Sequence, residues 1–170
     1  MVTSRIAATG AGIPDQIITN DDLAKIMDTS DEWIRQRTGI GERHISGGED
    51  LSYYTSKAAK QIIERAGIAP ADIELIVVAT VTADYCTPSA ACMVQKEIGA
   101  VNAVAFDVTA ACSGFLYGVS VADKFIRCGI YKNALVIGGE ILSKIVDWKD
   151  RSTCVLFGDG AAGVLLERSE

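Results

Sequence analysis

AFDVTAACSGFLYG, residues 105–118, decides how this chain reads. It continues an apolar run, 103–108, that reads as a buried strand. It passes through Thr109, Ala110 and Ala111 and reaches Cys112, where a helix over 113–128 is expected to begin. A cysteine in that place meets free backbone N–H groups and the positive end of a helix dipole. Both favour the thiolate, which is the nucleophilic form. The same place also suits a small buried apolar residue, and free cysteine is among the most buried residue types. Geometry alone leaves both readings open.

Within the helix, Phe115, Leu116, Val119 and Ile126 form an apolar stripe. Gly114, Gly118 and Ala122 form a second stripe of small residues at i+4 steps. Glycine inside a helix costs about 0.5–1 kcal/mol relative to alanine, so the spacing predicts a very close neighbour and a helix buried on most sides. Downstream, 134–141 reads as another buried strand and 147–152 as a polar loop carrying Trp148 and Arg151. Residues 153–166 read as a last strand, interrupted by GDGAAG. Those glycines have GxGxxG spacing, but no helix pattern follows, so a sharply bent strand is expected rather than a dinucleotide site.

Upstream, IELIVVATV (73–81) is the near-continuous apolar run of a strand covered on both faces. Thr87 and Pro88 read as the cap and first position of a helix ending at Gly99. Leu51, Tyr54, Ala58, Ala59, Ile62, Ile63 and Ala66 share one helical face, and Gly67 ends that helix. Ser30 caps a short helix that stops before Gly39, and Thr19 to Asp22 starts another. Residues 2–11 form a first strand. Strands and helices alternate, giving an α/β fold with a five-stranded mixed, mainly parallel sheet between helices. Cys112 then lies beyond the carboxyl end of a strand, where such sheets bind ligands.

The net charge of −6 disfavours general nucleic-acid binding. No apolar run approaches transmembrane length, and the first residues lack a leader's apolar core, so a cytoplasmic protein with no membrane contact is expected. Five cysteines without a CxxC pair, and a single histidine, argue against a disulfide framework or a metal site. Arg35, Arg37, Arg43 and His44 cluster within ten residues; a solvated loop is the plain reading. Trp33 and Arg37, at i and i+4, share a helix face. That pair suits a base and a phosphate, although spacing alone favours a packed indole under an arginine stem. His44 is the one histidine that a Cys112 nucleophile has within this sequence, and nothing places it nearby.

DVTAACSGFLYG, with DTSDEWIRQRTGIGERH upstream and FGDGAAG downstream, resembles the β-ketoacyl-acyl-carrier-protein synthase III family of thiolase-fold condensing enzymes. The resemblance implies that residues 1–170 are the first of two pseudo-symmetric halves, with the catalytic His and Asn in the second. It implies that Cys112 accepts the acyl group, and that Thr29, Trp33, Arg37 and Arg151 contact coenzyme A. Leu142 and Phe157 match acyl-pocket walls. Thr87 matches a position that reaches into the partner subunit's pocket and is often Phe, so a longer or branched primer is expected. The small-residue stripe is expected to face the equivalent helix of the other half. The implied reaction condenses an acyl-coenzyme A primer with malonyl-acyl-carrier protein in a homodimer, with no cofactor and no metal. Another thiolase-fold condensing enzyme with a different acceptor, or a non-catalytic assembly subunit, are the alternatives.

Overall fold

The computed structural model describes residues 2–169. Seven strands and five α-helices follow in the order β1 (Thr3–Gly12), β2 (Gln16–Thr19), α1 (Asn20–Ala24), α2 (Asp31–Thr38), β3 (Glu42–Ile45), α3 (Leu51–Ala66), β4 (Leu75–Ala79), α4 (Ala90–Ile98), β5 (Val104–Val108), α5 (Gly114–Arg127), β6 (Asn133–Ile141) and β7 (Asp159–Ser169). Five of the strands form one mixed sheet in the order β1-β7-β6-β4-β5. β4 pairs in parallel with both β5 and β6, while β7 runs antiparallel to β6 and β1. The parallel part of the expected sheet is therefore the trio β6-β4-β5, which ends at the β5 edge.

β4 is buried at every residue, as its unbroken apolar sequence requires. One face of the sheet lies under α3 and α4, with Leu51, Ile62, Val94, Ile76, Val78 and Ile137 in a common core. The other lies under α5, where Leu75, Val77, Val136, Ala122 and Ile126 meet. A third, smaller core joins Leu23 of α1 and Ile34 of α2 to Cys154 and Val155. A two-stranded sheet of β2 and β3 closes that side. The sequence reading missed this strand pair, because its strands are only four residues long, mix charge with apolar residues and are separated by α1 and α2.

Local signals set most helix ends. The Ser30 hydroxyl accepts from Trp33 N–H at 3.1 Å, and α2 ends at Gly39, whose φ of 74° is left-handed. Four expectations need correction. α4 starts at Ala90, with Ser89 as its cap rather than Thr87. Its first N–H groups, those of Ala90 and Ala91, donate to the Asp107 carboxylate, each at 2.8 Å, and this fixes the start. Residues 153–157 are not strand; Cys154 N–H closes a turn on Asp150 O at 3.0 Å, and β7 begins at Asp159. The small-residue stripe of α5 faces this chain's own sheet. A Cβ on Gly118 would sit 3.1 Å from Val136 and 3.3 Å from Val77. The opposite side of α5 is open, with Leu116 65% and Tyr117 55% exposed, so the helix is not buried on most sides.

α3 crosses β1 at comparable proximity. A Cβ on Gly12 would lie 2.1 Å from the Tyr54 carbonyl oxygen, which is backbone and cannot give way. Gly12→Ala should therefore lower stability by about 1–3 kcal/mol in urea unfolding. Gly47→Ala, whose new atom meets only the Glu49 carboxylate at 3.4 Å, should change it by less than about 0.5 kcal/mol.

Carboxylates around the third core add an acid limit. The Asn20 amide, and after it Arg35, hold the Asp31 carboxyl below its ordinary range. Lys25 and Thr19 do the same for Asp22. A carboxyl whose folded pKa is depressed contributes stability above its unfolded pKa and loses it as pH falls through the folded one. The thermal midpoint should accordingly drop as pH is taken below about 4.

Candidate functional site

β5 ends at Val108, and the chain enters a 3₁₀ turn, Ala111–Ser113, before α5. Ala111 has a φ of +45°, a left-handed conformation that non-glycine residues rarely adopt, and such positions collect at functional sites. Cys112 follows it, exposed, just ahead of the first turn of α5. A Cβ on Gly114 would approach Ala79 of β4 to 3.2 Å, so the start of α5 rests on the end of β4.

Cys112 opens onto a cavity of about 270 Å³. Ala79 of β4, Gly138, Gly139 and Glu140 of β6, Gly160 of β7, Ala111 and Phe115 complete its lining. These are the carboxyl ends of the parallel strands and the start of β7, the place expected from the strand order. Gly138 leaves room for Phe115, whose Cβ lies 3.4 Å from where a side chain would begin.

Glu140 was not expected here. Its carboxylate accepts from Thr80 Oγ1 at 3.1 Å, from Val81 N–H at 2.9 Å and from the Thr82 hydroxyl. The Thr82 oxygen in turn accepts from Ile141 N–H at 2.9 Å. One acid thereby fastens the loop after β4 to the cavity wall. An acid closing the buried run 134–139 is the signal that could have found it.

The other cysteines stand apart. Cys154 is fully buried in the third core, and burial pushes its thiol pKa up. Cys128 lies at the opposite end of α5, against Val121, Phe125 and Ile130. His44 does not line the Cys112 cavity; its Nδ1 donates to Pro14 O at 2.6 Å on the β3 side. Among the described residues, no group of three or more His, Cys, Asp or Glu side chains could hold a metal ion.

Trp33, Arg37 and Arg151 come together away from that cavity. The Arg37 guanidinium lies 4.3 Å from the Trp33 ring centroid and that of Arg151 4.7 Å. Arg151 also donates to Asp28 O, which brings the loop after β6 onto the start of α2. Thr29 sits between Asp28 and the Ser30 cap, and its hydroxyl oxygen is buried without a hydrogen-bond partner. An indole plane and two guanidinium groups form a surface suited to an aromatic, anionic ligand.

The expected solvated basic patch is not one unit. Arg43 is only 5% exposed, Arg35 bonds Asp31 along α2, and Arg37 alone joins the indole. A lone buried arginine has no sequence signature, and its place among loop-like residues made it read as solvated. Leu142 and Phe157 flank the Cys112 cavity in sequence, immediately after β6 and just before β7. Neither is part of its lining. Asp159 links the segments they belong to, accepting from Ser143 N–H at 2.9 Å, Ser143 Oγ at 2.6 Å and Ser46 N–H at 2.7 Å. Thr87 is exposed on the loop between β4 and α4 and is also outside the lining.

Known proteins match this chain along its length. A family model described as 3-Oxoacyl-[acyl-carrier-protein (ACP)] synthase III matches residues 106–170. Beta-ketoacyl-[acyl-carrier-protein] synthase III of Streptococcus mutans is 56% identical over 167 residues, covering 98% of this chain and 51% of that protein. The Clostridium novyi protein of the same name is 53% identical over 170 residues, covering 100% of this chain and 52% of its own. The crystal structure of 3-oxoacyl-[acyl-carrier-protein] synthase III from Aquifex aeolicus superposes with a TM-score of 0.96 at 51% identity, over 98% of this chain and 54% of that one. A priming β-ketosynthase of the R1128 polyketide pathway gives 0.95 at 35% identity, over 98% of this chain and 50% of that one. The chain spans about half the length of the curated relatives it matches. Over that half, in sequence and in fold, the chain is similar to the β-ketoacyl-acyl-carrier-protein synthase III family.

Proposed function

We propose that this chain is the first half of a condensing enzyme that joins an acyl-coenzyme A primer to malonyl-acyl-carrier protein through an acyl-Cys112 thioester, starting fatty-acid synthesis in the cytoplasm. The observation that carries the reading is Cys112, exposed in a cavity at the carboxyl ends of the parallel strands. Its sulfur attacks the thioester carbonyl, the bond to the coenzyme A sulfur breaks, and coenzyme A leaves as the thiol. The malonyl group then releases CO2, and its carbanion attacks the acyl-Cys112 carbonyl. The Cys112 sulfur leaves, and a β-ketoacyl-acyl-carrier protein is the product. The Cys112 backbone N–H serves as an oxyanion donor. The His and Asn that complete the catalytic set come from the second half.

In this reading Trp33 stacks on the adenine of coenzyme A, Arg151 covers its other face, and Arg37 and Thr29 add contacts. Arg151 lies 4.7 Å from the Trp33 centroid, so a base entering between them lifts the guanidinium by about 3.5 Å, the thickness of one aromatic layer. Leu142 and Phe157 wall the acyl pocket, and Thr87 enters the pocket of a second subunit. The homodimer fits β5, an apolar strand at the sheet edge that offers its backbone for pairing.

In the whole enzyme, with this chain completed by its second half, Cys112→Ala should reduce acyl transfer from acyl-coenzyme A by about a thousandfold or more. It should also abolish the acyl mass adduct on the protein. Persistence of both the adduct and the exchange of acyl groups with coenzyme A would sink the reading. Thr87→Phe should narrow the pocket. Competition between a branched and a two-carbon primer should shift about tenfold toward the shorter one, since one or two methylenes are worth that much in an apolar pocket.

A further inference from the structure

We infer that Arg43 is a positioning residue that ties together the two segments from which the Trp33 platform is built, an inference that rests on the coenzyme A reading above. Arg43 lies on β3, nine-tenths or more buried, and among the described residues no carboxylate is within ion-pair distance of it. Its Nη2 donates to Asn20 Oδ1 at 2.8 Å and to Val155 O at 3.1 Å, and its Nη1 donates to Ile18 O at 3.2 Å.

The two Nη2 bonds lead to the two sides of the platform. The Asn20 amide group donates to Asp31 Oδ1 at 2.8 Å and to Ile40 O at 2.7 Å. Asp31 is the first residue of α2, the helix that carries Trp33 and Arg37. Val155 belongs to the turn folded back on Asp150, which carries Arg151. Through one amide on one side and one carbonyl on the other, a single guanidinium joins α2 to the Arg151 loop. The platform needs both, because Arg151 reaches the Trp33 ring from a segment more than a hundred residues away in sequence.

A buried charge without a counter-ion is costly, and an apolar side chain of similar size would fill the space more cheaply. What the guanidinium adds is its fork. Two terminal nitrogens reach three oxygens in fixed directions, while Nε, also buried, has no partner. Lysine, a single point donor, cannot reproduce that geometry.

The test compares two thioesters in the whole enzyme: acyl-coenzyme A, and acyl-pantetheine, which keeps the thioester and the arm but lacks the nucleotide. Arg43→Gln should lower kcat/KM for acyl-coenzyme A about tenfold, mainly through KM. It should leave acyl-pantetheine within about twofold, with Arg43→Lys intermediate. Trp33→Ala should show the same selectivity, and the double variant should lose less than the sum of the two single losses. If Trp33→Ala discriminates between the thioesters and Arg43→Gln does not, the positioning role is overturned and the coenzyme A reading stands. If Trp33→Ala does not discriminate either, the coenzyme A reading falls and the positioning role with it. Should Arg43→Gln fail to fold, Asn20→Ala cuts the α2 side of the tie, and equal loss on both thioesters overturns the proposal.

Discussion

The structure depends on removing both faces of β4 from water. Leu75, Ile76, Val77 and Val78 are fully buried, and each side chain of that size contributes about 1.5–3 kcal/mol when taken from solvent. Because they alternate, that burial requires cover on two sides: α3 and α4 over Ile76 and Val78, α5 over Leu75 and Val77. The two parallel neighbours are reached by crossovers through α4 and α5, so cover and connection are the same elements. Once this layering is set, the carboxyl ends of β4 and β6 and the start of α5 converge, and the left-handed turn at Ala111 places Cys112 among them.

Much of this was legible because it follows from local rules. Ser30 and Gly39 marked the ends of α2, Gly67 ended α3, and the apolar run of β4 announced a doubly covered strand. What failed was information that only tertiary packing carries. Cys154 and Val155 look like strand but plug a small core as a turn, since a short apolar run does not state which core it fills. The glycine stripe of α5 was read correctly as a close approach and assigned to the wrong partner; spacing reports proximity, not identity. Arg43 looked like a surface charge because its acceptors, two carbonyls and one amide oxygen, lie far away in sequence.

The two chemical regions differ in how firmly they are held. The cavity is lined by strand ends, three glycines, the Phe115 ring and an acid engaged by two hydroxyls and an N–H, so its walls are backbone, packed apolar side chains and satisfied polar groups. The indole platform rests on exposed arginines, where cation–aromatic contacts bring about 0.5–1 kcal/mol each. Such contacts yield to a competing aromatic face, whereas the cavity walls do not.

The glycine contact between α5 and the sheet has a mechanical meaning. With Gly114 on Ala79 and Gly118 on Val77 and Val136, the first two turns of the helix set their backbone on the sheet, and Phe115 fills the recess at Gly138. It is a rod set at one end against the doubly covered strand β4. The sulfur at that end is placed by the sheet as well as by the loop from which it emerges. Its aim is then calibrated by the strands, and substitutions on the outer face of the rod leave that calibration untouched.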